Sequence, residues 1–316
     1  MLIKILRGWE MPEREATPEE FYLSRRQFIK KVGWSGMSTA LALAGWGGAE
    51  TASRQEDKKI YPAKRNEKFV LDRPLTDEWA TAHYNNFYEF TTAKERVADL
   101  VGKFQTRPWT VEITGLVAKP LRFDSDDLIH RMPLEERLYR HRCVEAWSMA
   151  VPWTGFPMKA LVELAQPLST AKFVRLMSFN KPEQAPGMKA QSWYSWPYYE
   201  GLRMDEATHE LTMLVTGIYG HELPKQNGAP LRLVTPWKYG YKSIKSIVKI
   251  EFIDKQPRTF WNDLAPKEYD FLSNVNPQVP HPRWSQAAEQ PIPDGPRRPT
   301  LMYNGYDAQV AALYKA

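Results

Sequence analysis

Cys143, within "YRHRCVEAWSM" (139–149), is the only cysteine among 316 residues. A thiol with no partner in its own chain has four uses. It packs as a small hydrophobe, pairs with another chain, attacks as a nucleophile, or ligates a metal as thiolate. Arg140, His141 and Arg142 directly precede it and favour a thiolate, although strand alternation would turn both arginines away from the face shared by His141 and Cys143. One cysteine is too few for a Cys-rich zinc site or an iron–sulfur cluster, and no C-x-x-C-H haem motif is present. The metal use that survives is a soft centre taking one protein thiolate, its other ligands arriving with a cofactor. On the residues alone, packing, nucleophilic and metal-binding uses all stay open.

The N-terminus bears on that choice. Ser24-Arg25-Arg26-Gln27-Phe28-Ile29-Lys30 resembles the twin-arginine export pattern S-R-R-x-F-L-K, with Ile for Leu. An uncharged stretch from Val32 to Ala49 follows and ends in Gly47-Gly48-Ala49, small residues suited to cleavage. It is too short, and too rich in Gly, Ser and Ala, for a membrane anchor. We therefore expect a signal peptide over 1–49, a flexible polar lead-in over 50–70, and one folded domain over 71–316. The resemblance to twin-arginine signals implies cargo folded before transport, often around a cofactor, which favours the metal use of Cys143.

Composition bounds the fold and the partners. The chain is 43% hydrophobic and 25% charged, as expected of a globular protein, and its 25 prolines suit a loop-rich fold of short strands better than a helical bundle. The net charge of +6 comes without a basic run or a nucleic-acid-binding motif, so it fits a phosphate-bearing cofactor and excludes nucleic-acid binding.

The elements that must hold Cys143 follow from periodicity. Residues 109–123 alternate and turn at Lys119-Pro120, predicting a strand and hairpin; "SDDLIHRM" predicts a short helix capped by Ser125. Residues 136–145 alternate again, placing Cys143 near a strand end. Pro157 opens a helix over "MKALVELAQ", and 172–179 and 211–220 read as strands around an aromatic loop, "QSWYSWPYYEGL". Residues 227–254 give a turn, a strand, a Lys/Gly/aromatic loop and a last strand; the chain beyond Pro257 reads as irregular surface wrapping. The expected fold class is α+β, β-rich, in one domain.

Five blocks carry a family likeness: "HYNNFYEF" (83–90), "RCVEAWSMAVPWTGFP" (142–157), "LPKQNGAPLRLVTPWKYGYKSIKSI" (223–247), "NVNPQVPHPRWSQA" (274–287) and "LMYNGYDAQVAALY" (301–314). In order and wording they resemble the MsrP (YedY) family, the molybdopterin-containing catalytic subunits of periplasmic protein-methionine-sulfoxide reductases. The resemblance implies a sulfite-oxidase-type molybdopterin-binding domain and one Mo-molybdopterin per chain, held by the cofactor's dithiolene and the Cys143 thiolate. It carries the family's cofactor-binding positions onto Asn85, Tyr88, Glu89, Ser178, Asn227, Arg232, Ser243, Ile244 and Lys245, with Ser178 standing where the family has threonine. Those residue types suit such a cofactor. Arg232 and Lys245 supply charge for a phosphate, Ser243 a hydroxyl, and Gly228 and Gly240 close backbone approach.

The same resemblance implies reduction of methionine sulfoxide residues in exported periplasmic proteins, by oxygen-atom transfer to molybdenum. Electrons would come, quinone-linked, from a membrane haem-binding subunit, MsrQ. Cys143 is then a molybdenum ligand and not a nucleophile, in keeping with the lack of a second cysteine to resolve a thiol intermediate. Trp193, Tyr194, Trp196, Tyr198 and Tyr199 offer an aromatic rim for methionine side chains, and Trp147 and Trp153 are further lining candidates. Two rival readings remain. One is another small-molecule sulfoxide or N-oxide reductase, or a sulfite-oxidising enzyme, on the same fold. The other is an exported binding protein whose cysteine is merely buried.

Overall fold

The structure is a computed structural model that describes residues 60–315. The expected signal peptide, and the lead-in before residue 60, lie outside the described residues.

Two sheets build the molecule, a β-rich α+β arrangement. The first has the order β2-β1-β10-β5-β6, with β1 Thr110–Gly115, β2 Leu121–Asp124, β5 Phe173–Ser178, β6 Tyr199–Arg203 and β10 Ile247–Ile253. β1 alternates as predicted: Val111 and Ile113 are fully buried while Glu112 faces out. It pairs with β2 antiparallel and with β10 in parallel. The helix after β2 runs Ser125–Arg131, but its N-cap is Asp124, whose carboxylate accepts from Asp126 N at 2.9 Å. Ser125 is buried within the first turn, so the predicted cap is displaced by one residue.

The second sheet is formed by β3 Glu135–Arg142, β4 Trp147–Pro157, β7 Met213–Ile218, β8 His221–Glu222, β9 Arg232–Val234, β11 Ala288–Pro291 and β12 Arg298–Pro299. β4 is its centre, pairing with β3, β7 and β11. Its residues are buried on both faces from Trp147 to Phe156, so it reads as a continuous apolar run with no alternation. The helix Met158–Ala165 starts directly after it, with Pro157 as N-cap.

Two expectations are corrected here. Residues 60–70 are anchored, not a loose lead-in. Asn66 N donates to Glu136 O and Glu136 N to Lys64 O, both at 2.8 Å, and Tyr61 Oη bonds Thr216 at 2.8 Å. The polar composition that suggested flexibility is used on the strand edge of β3. The chain beyond Pro257 is likewise structural: β11 joins the second sheet beside β4, and Trp284 and Gln286 both donate to Val144 O at 2.7 Å, underneath the cysteine turn.

Candidate active-site cleft

β3 and β4 form a hairpin with Arg142 opposite Ser148, and Cys143 opens its turn. Cys143 N donates to Trp147 O at 2.9 Å, Ala146 N donates to Cys143 O at 3.0 Å, and Ala146 takes φ 69°. A non-glycine residue in this left-handed region is uncommon and marks a turn fixed by its surroundings. The surroundings are visible. Arg142 is fully buried and donates to Cys143 O, to Gln286 Oε1 at 2.8 Å and to Thr300 Oγ1 at 3.2 Å, with the Glu289 carboxylate 3.4 Å away.

Cys143, 6% exposed, stands in a cleft of about 860 Å³, open solvent at its mouth included. Glu145 N donates to its sulfur at 3.4 Å, and Asn86 Oδ1 lies 3.6 Å from it. Burial, with the Glu145 carboxylate second, pushes the thiol up to about 12. Left to the protein alone this sulfur is a neutral thiol, far from the low-pKa state of a catalytic nucleophile; a coordinated cation reverses that by displacing the proton.

The cleft brings together Asn85, Tyr88, Glu89, Cys143, Arg232, Ser243, Ile244 and Lys245 of the residues singled out in the sequence. They come from the segment after the helix Glu78–His83, from the cysteine hairpin, from β9, and from the loop before β10. Ser178 and Asn227 do not line it. Ser178 Oγ donates to Lys245 O at 2.8 Å and so supports the lining loop from behind. Asn227 is buried, donates to Thr81 O at 3.2 Å and Asn85 Oδ1 at 3.3 Å, and leaves its own Oδ1 without a partner.

The electrostatics of the cleft are unbalanced. Arg232, 2% exposed, donates to the carbonyls of Asn227 (2.9 Å), Ser243 (3.1 Å) and Leu233 (3.3 Å), over the Trp153 ring. Lys245 donates to Gln226 O at 2.9 Å and Asn86 O at 3.1 Å. Among the described residues neither cation has a carboxylate within salt-bridge distance. Burial lowers Arg232 to about 9; burial and then repulsion by Arg232 lower Lys245 well below the usual lysine range. Buried charges are normally paired, so two unpaired cations in one cleft fit a bound anion such as a phosphate. Together with the lone sulfur of Cys143, these cations fit a phosphate-bearing group that carries a thiophilic metal.

Two glycines make the approach close. Gly228 has φ 106°, and a Cβ there would stand 2.8 Å from Lys245 Cγ; a Cβ on Gly240 would stand 2.6 Å from the His141 ring. His141 shares the cleft with Cys143, whereas Arg140 and Arg142 do not line it, as strand alternation predicts. Arg140 instead pairs with Asp72 at 3.0 Å and bonds the Asn304 and Gly305 carbonyls at 3.0 Å.

Of the expected aromatic rim only Tyr198 lines the cleft, while Trp193 is 70% exposed. Trp147 lines it, but Trp153 lies wholly buried beneath Arg232. The lining that sequence reasoning missed includes Asn86, Glu145, Tyr241, Trp261 and Tyr269. Glu145 is held by Lys94 at 2.9 Å and Asn86 at 3.2 Å. Asn86 and Tyr241 sat inside motifs already singled out; Trp261 and Tyr269 lie in an aperiodic, proline-flanked stretch that gave no signal.

Residues 98–261 match the family described as oxidoreductase molybdopterin binding domain, a class that a β-rich α+β fold with a single thiol at a hairpin tip, under a cation-lined cleft, suits. A curated relative, the protein-methionine-sulfoxide reductase catalytic subunit MsrP of Burkholderia mallei (strain ATCC 23344), is 46% identical over 324 residues, covering 100% of this chain and 98% of that protein. The chain belongs to this family of reductase catalytic subunits. A solved structure, the sulfane dehydrogenase SoxCD from Paracoccus pantotrophus, aligns over 67% of this chain and 57% of its own, with TM-score 0.42 and 17% identity.

Proposed function

We propose that this protein reduces methionine sulfoxide residues of other proteins to methionine, using a Mo-molybdopterin cofactor bound in the cleft. The observation that carries the reading is the pairing of one buried thiol with two buried cations that have no carboxylate partner among the described residues, in a chain 46% identical to an MsrP catalytic subunit over its full length. When bound, the cofactor supplies two-electron oxygen-atom acceptance from the sulfoxide.

The chain's residues do the rest. Cys143 would hold the metal as thiolate. Arg232 and Lys245 would hold the cofactor's phosphate, and Asn85, Tyr88, Glu89, Ser243 and Ile244, which also line the cleft, would hold its pterin, while Asn227 braces Asn85 and Ser178 braces Lys245 from behind. Trp147, Trp261 and Tyr269 form the apolar wall against which a methionine side chain seats by sulfur–aromatic contact. A sulfite-oxidising site would want arginines facing the metal. Arg140 and Arg142, the two nearest in sequence, are engaged elsewhere, which favours the neutral sulfoxide.

Among the described residues no helix is long and apolar enough to cross a membrane. The twin-arginine pattern at residues 24–30 supports export as a folded, cofactor-loaded protein to the periplasm. Electrons then come from a membrane haem-binding partner of the MsrQ type. The test is molybdenum and pterin content of protein exported with its signal intact, together with turnover on free and protein-bound methionine sulfoxide and on sulfite. Metal-loaded protein that oxidises sulfite and leaves sulfoxides untouched would overturn the substrate; protein with neither metal nor pterin would overturn the cofactor.

A further inference from the structure

The loop before β10 gives the cleft much of its lining: Gly240, Tyr241, Ser243, Ile244 and Lys245. The same loop carries two lysines that do not line it. Lys238 is 1% exposed and Lys242 fully buried, and both point away from the cleft into the protein. Lys238 Nζ lies 2.6 Å from Glu206 Oε1 and donates to Leu272 O at 2.7 Å and Asn274 Oδ1 at 2.9 Å. Lys242 Nζ lies 3.0 Å from Glu200 Oε2 and donates to Phe271 O. Both carboxylates are fully buried.

Neither pair is explained as fold stabilisation. Removing two charges from water costs about as much as their attraction returns, and apolar residues of similar volume would serve stability equally well. What the pairs do provide is direction. The loop and its neighbour, residues 269–276, are joined by a single antiparallel bridge, Lys238 opposite Asn274, with Tyr239 N donating to Ser273 O at 2.8 Å and Val275 N to Trp237 O at 3.1 Å. No ladder continues that bridge, and the ammonium groups extend the link by binding Phe271 O and Leu272 O. The second pair also reaches the cleft wall: Tyr198, a lining residue, sits 3.4 Å from Glu200 Oε1 and donates to Tyr241 O at 2.6 Å.

We propose that Lys238 and Lys242 are positioning residues, each locked to a buried carboxylate so that the cofactor-facing atoms of residues 239–245 stay in register with Cys143. The inference rests on the reading of the cleft as the cofactor site. Groups that stand behind a metal site and orient what touches it commonly change its occupancy by roughly 10–100-fold when removed.

The test uses the cofactor-loaded protein and the variant Lys242→Met with Glu200→Gln, which removes both charges and keeps the volumes. Three quantities are read: molybdenum per chain, the rate of pterin release at fixed temperature, and backbone amide exchange. The expected result is pterin release at least about tenfold faster than wild type, with lower molybdenum content. Exchange should rise in residues 239–245 and stay unchanged in β1, which does not pair with the strand that carries Glu200, and in β7 of the second sheet. Lys242→Met alone, which strands the Glu200 charge, should lose more cofactor than the double variant. Wild-type retention in the double variant overturns the proposal. A double variant that fails to fold, or whose exchange rises equally in β1 and β7, also overturns it, because the pair then belongs to the fold. Wild-type protein without molybdenum or pterin would instead bring down the cofactor reading itself.

Discussion

Cys143 is held by its backbone more than by its side chain: the hairpin turn, the Ala146 conformation and the buried Arg142 fix where the sulfur points, and little touches the sulfur itself. Cys143→Ser should therefore fold normally, and its circular dichroism and melting should track wild type within about 1 kcal/mol. Its molybdenum content and sulfoxide reduction should be lost, and a serine variant that stays active without the metal would refute the ligand role. Glu89 makes a second prediction. Burial pushes its carboxyl up to about 7 from 4.5, with Lys245 pulling the other way. The folded protein then keeps a proton that the unfolded chain has released between those values. The stabilisation is complete below pH 4.5 and disappears as pH rises through 7. Glu89→Gln removes the titration, so the stability of wild type relative to Glu89→Gln should fall across that window, by up to about 3 kcal/mol. Thermal melts of both proteins at several pH values check it, and a difference independent of pH would show Glu89 ionised throughout. The importance of Cys143 was legible because it is alone in the chain. The unpaired state of Arg232 and Lys245 was not legible, since a sequence does not show which carboxylates are out of reach.

Strands that face solvent on one side announced themselves. β1 and β5 alternate in burial, β3 and β10 do so over part of their length, and the sequence reading found all four. β4, the strand that carries the far side of the cysteine hairpin, gave no such sign: it is buried on both faces and has Pro152 in its middle, which argues against a central strand. β6 was hidden for another reason, because its first residue, Tyr199, closes a run of aromatics that reads as a loop. The lining loop before β10 was recognised as a loop, yet its shape depends on contacts distant in sequence, with His141 packed under Gly240. Gly240→Ala tests that contact. The new Cβ would meet His141 Cε1 and Nε2 at 2.6 Å, so either the ring or the loop must shift. We expect a loss of about 1–3 kcal/mol in stability and reduced molybdenum content. Gly102→Ala, where a Cβ meets nothing within 4 Å, is the control and should change neither. Equal effects from the two substitutions would mean that the close approach at His141 is not what matters.

Across the whole molecule, the cleft trades stability for binding. The fold brings Arg232 and Lys245 into one buried space, with no carboxylate partner among the described residues, an arrangement that repels itself until an anion arrives. Folding and cofactor binding are therefore linked: a group that binds only the folded state raises its stability, and here it also relieves the repulsion. Protein made in cells unable to synthesise the cofactor should melt several degrees below the loaded form. Arg232→Met separates the two effects, because it deletes one cation and keeps an unbranched side chain over Trp153. In cofactor-free protein it should cost no stability, and a gain of about 1–3 kcal/mol is expected from removing an unpaired buried charge. In protein made with the cofactor available, the same substitution should lower molybdenum and pterin content and so reverse the order of the two melting temperatures. Melts of wild type and Arg232→Met in both states decide the matter. If the substitution destabilises both forms alike, Arg232 is a packing residue, and the unpaired charge is not the feature that recruits the cofactor.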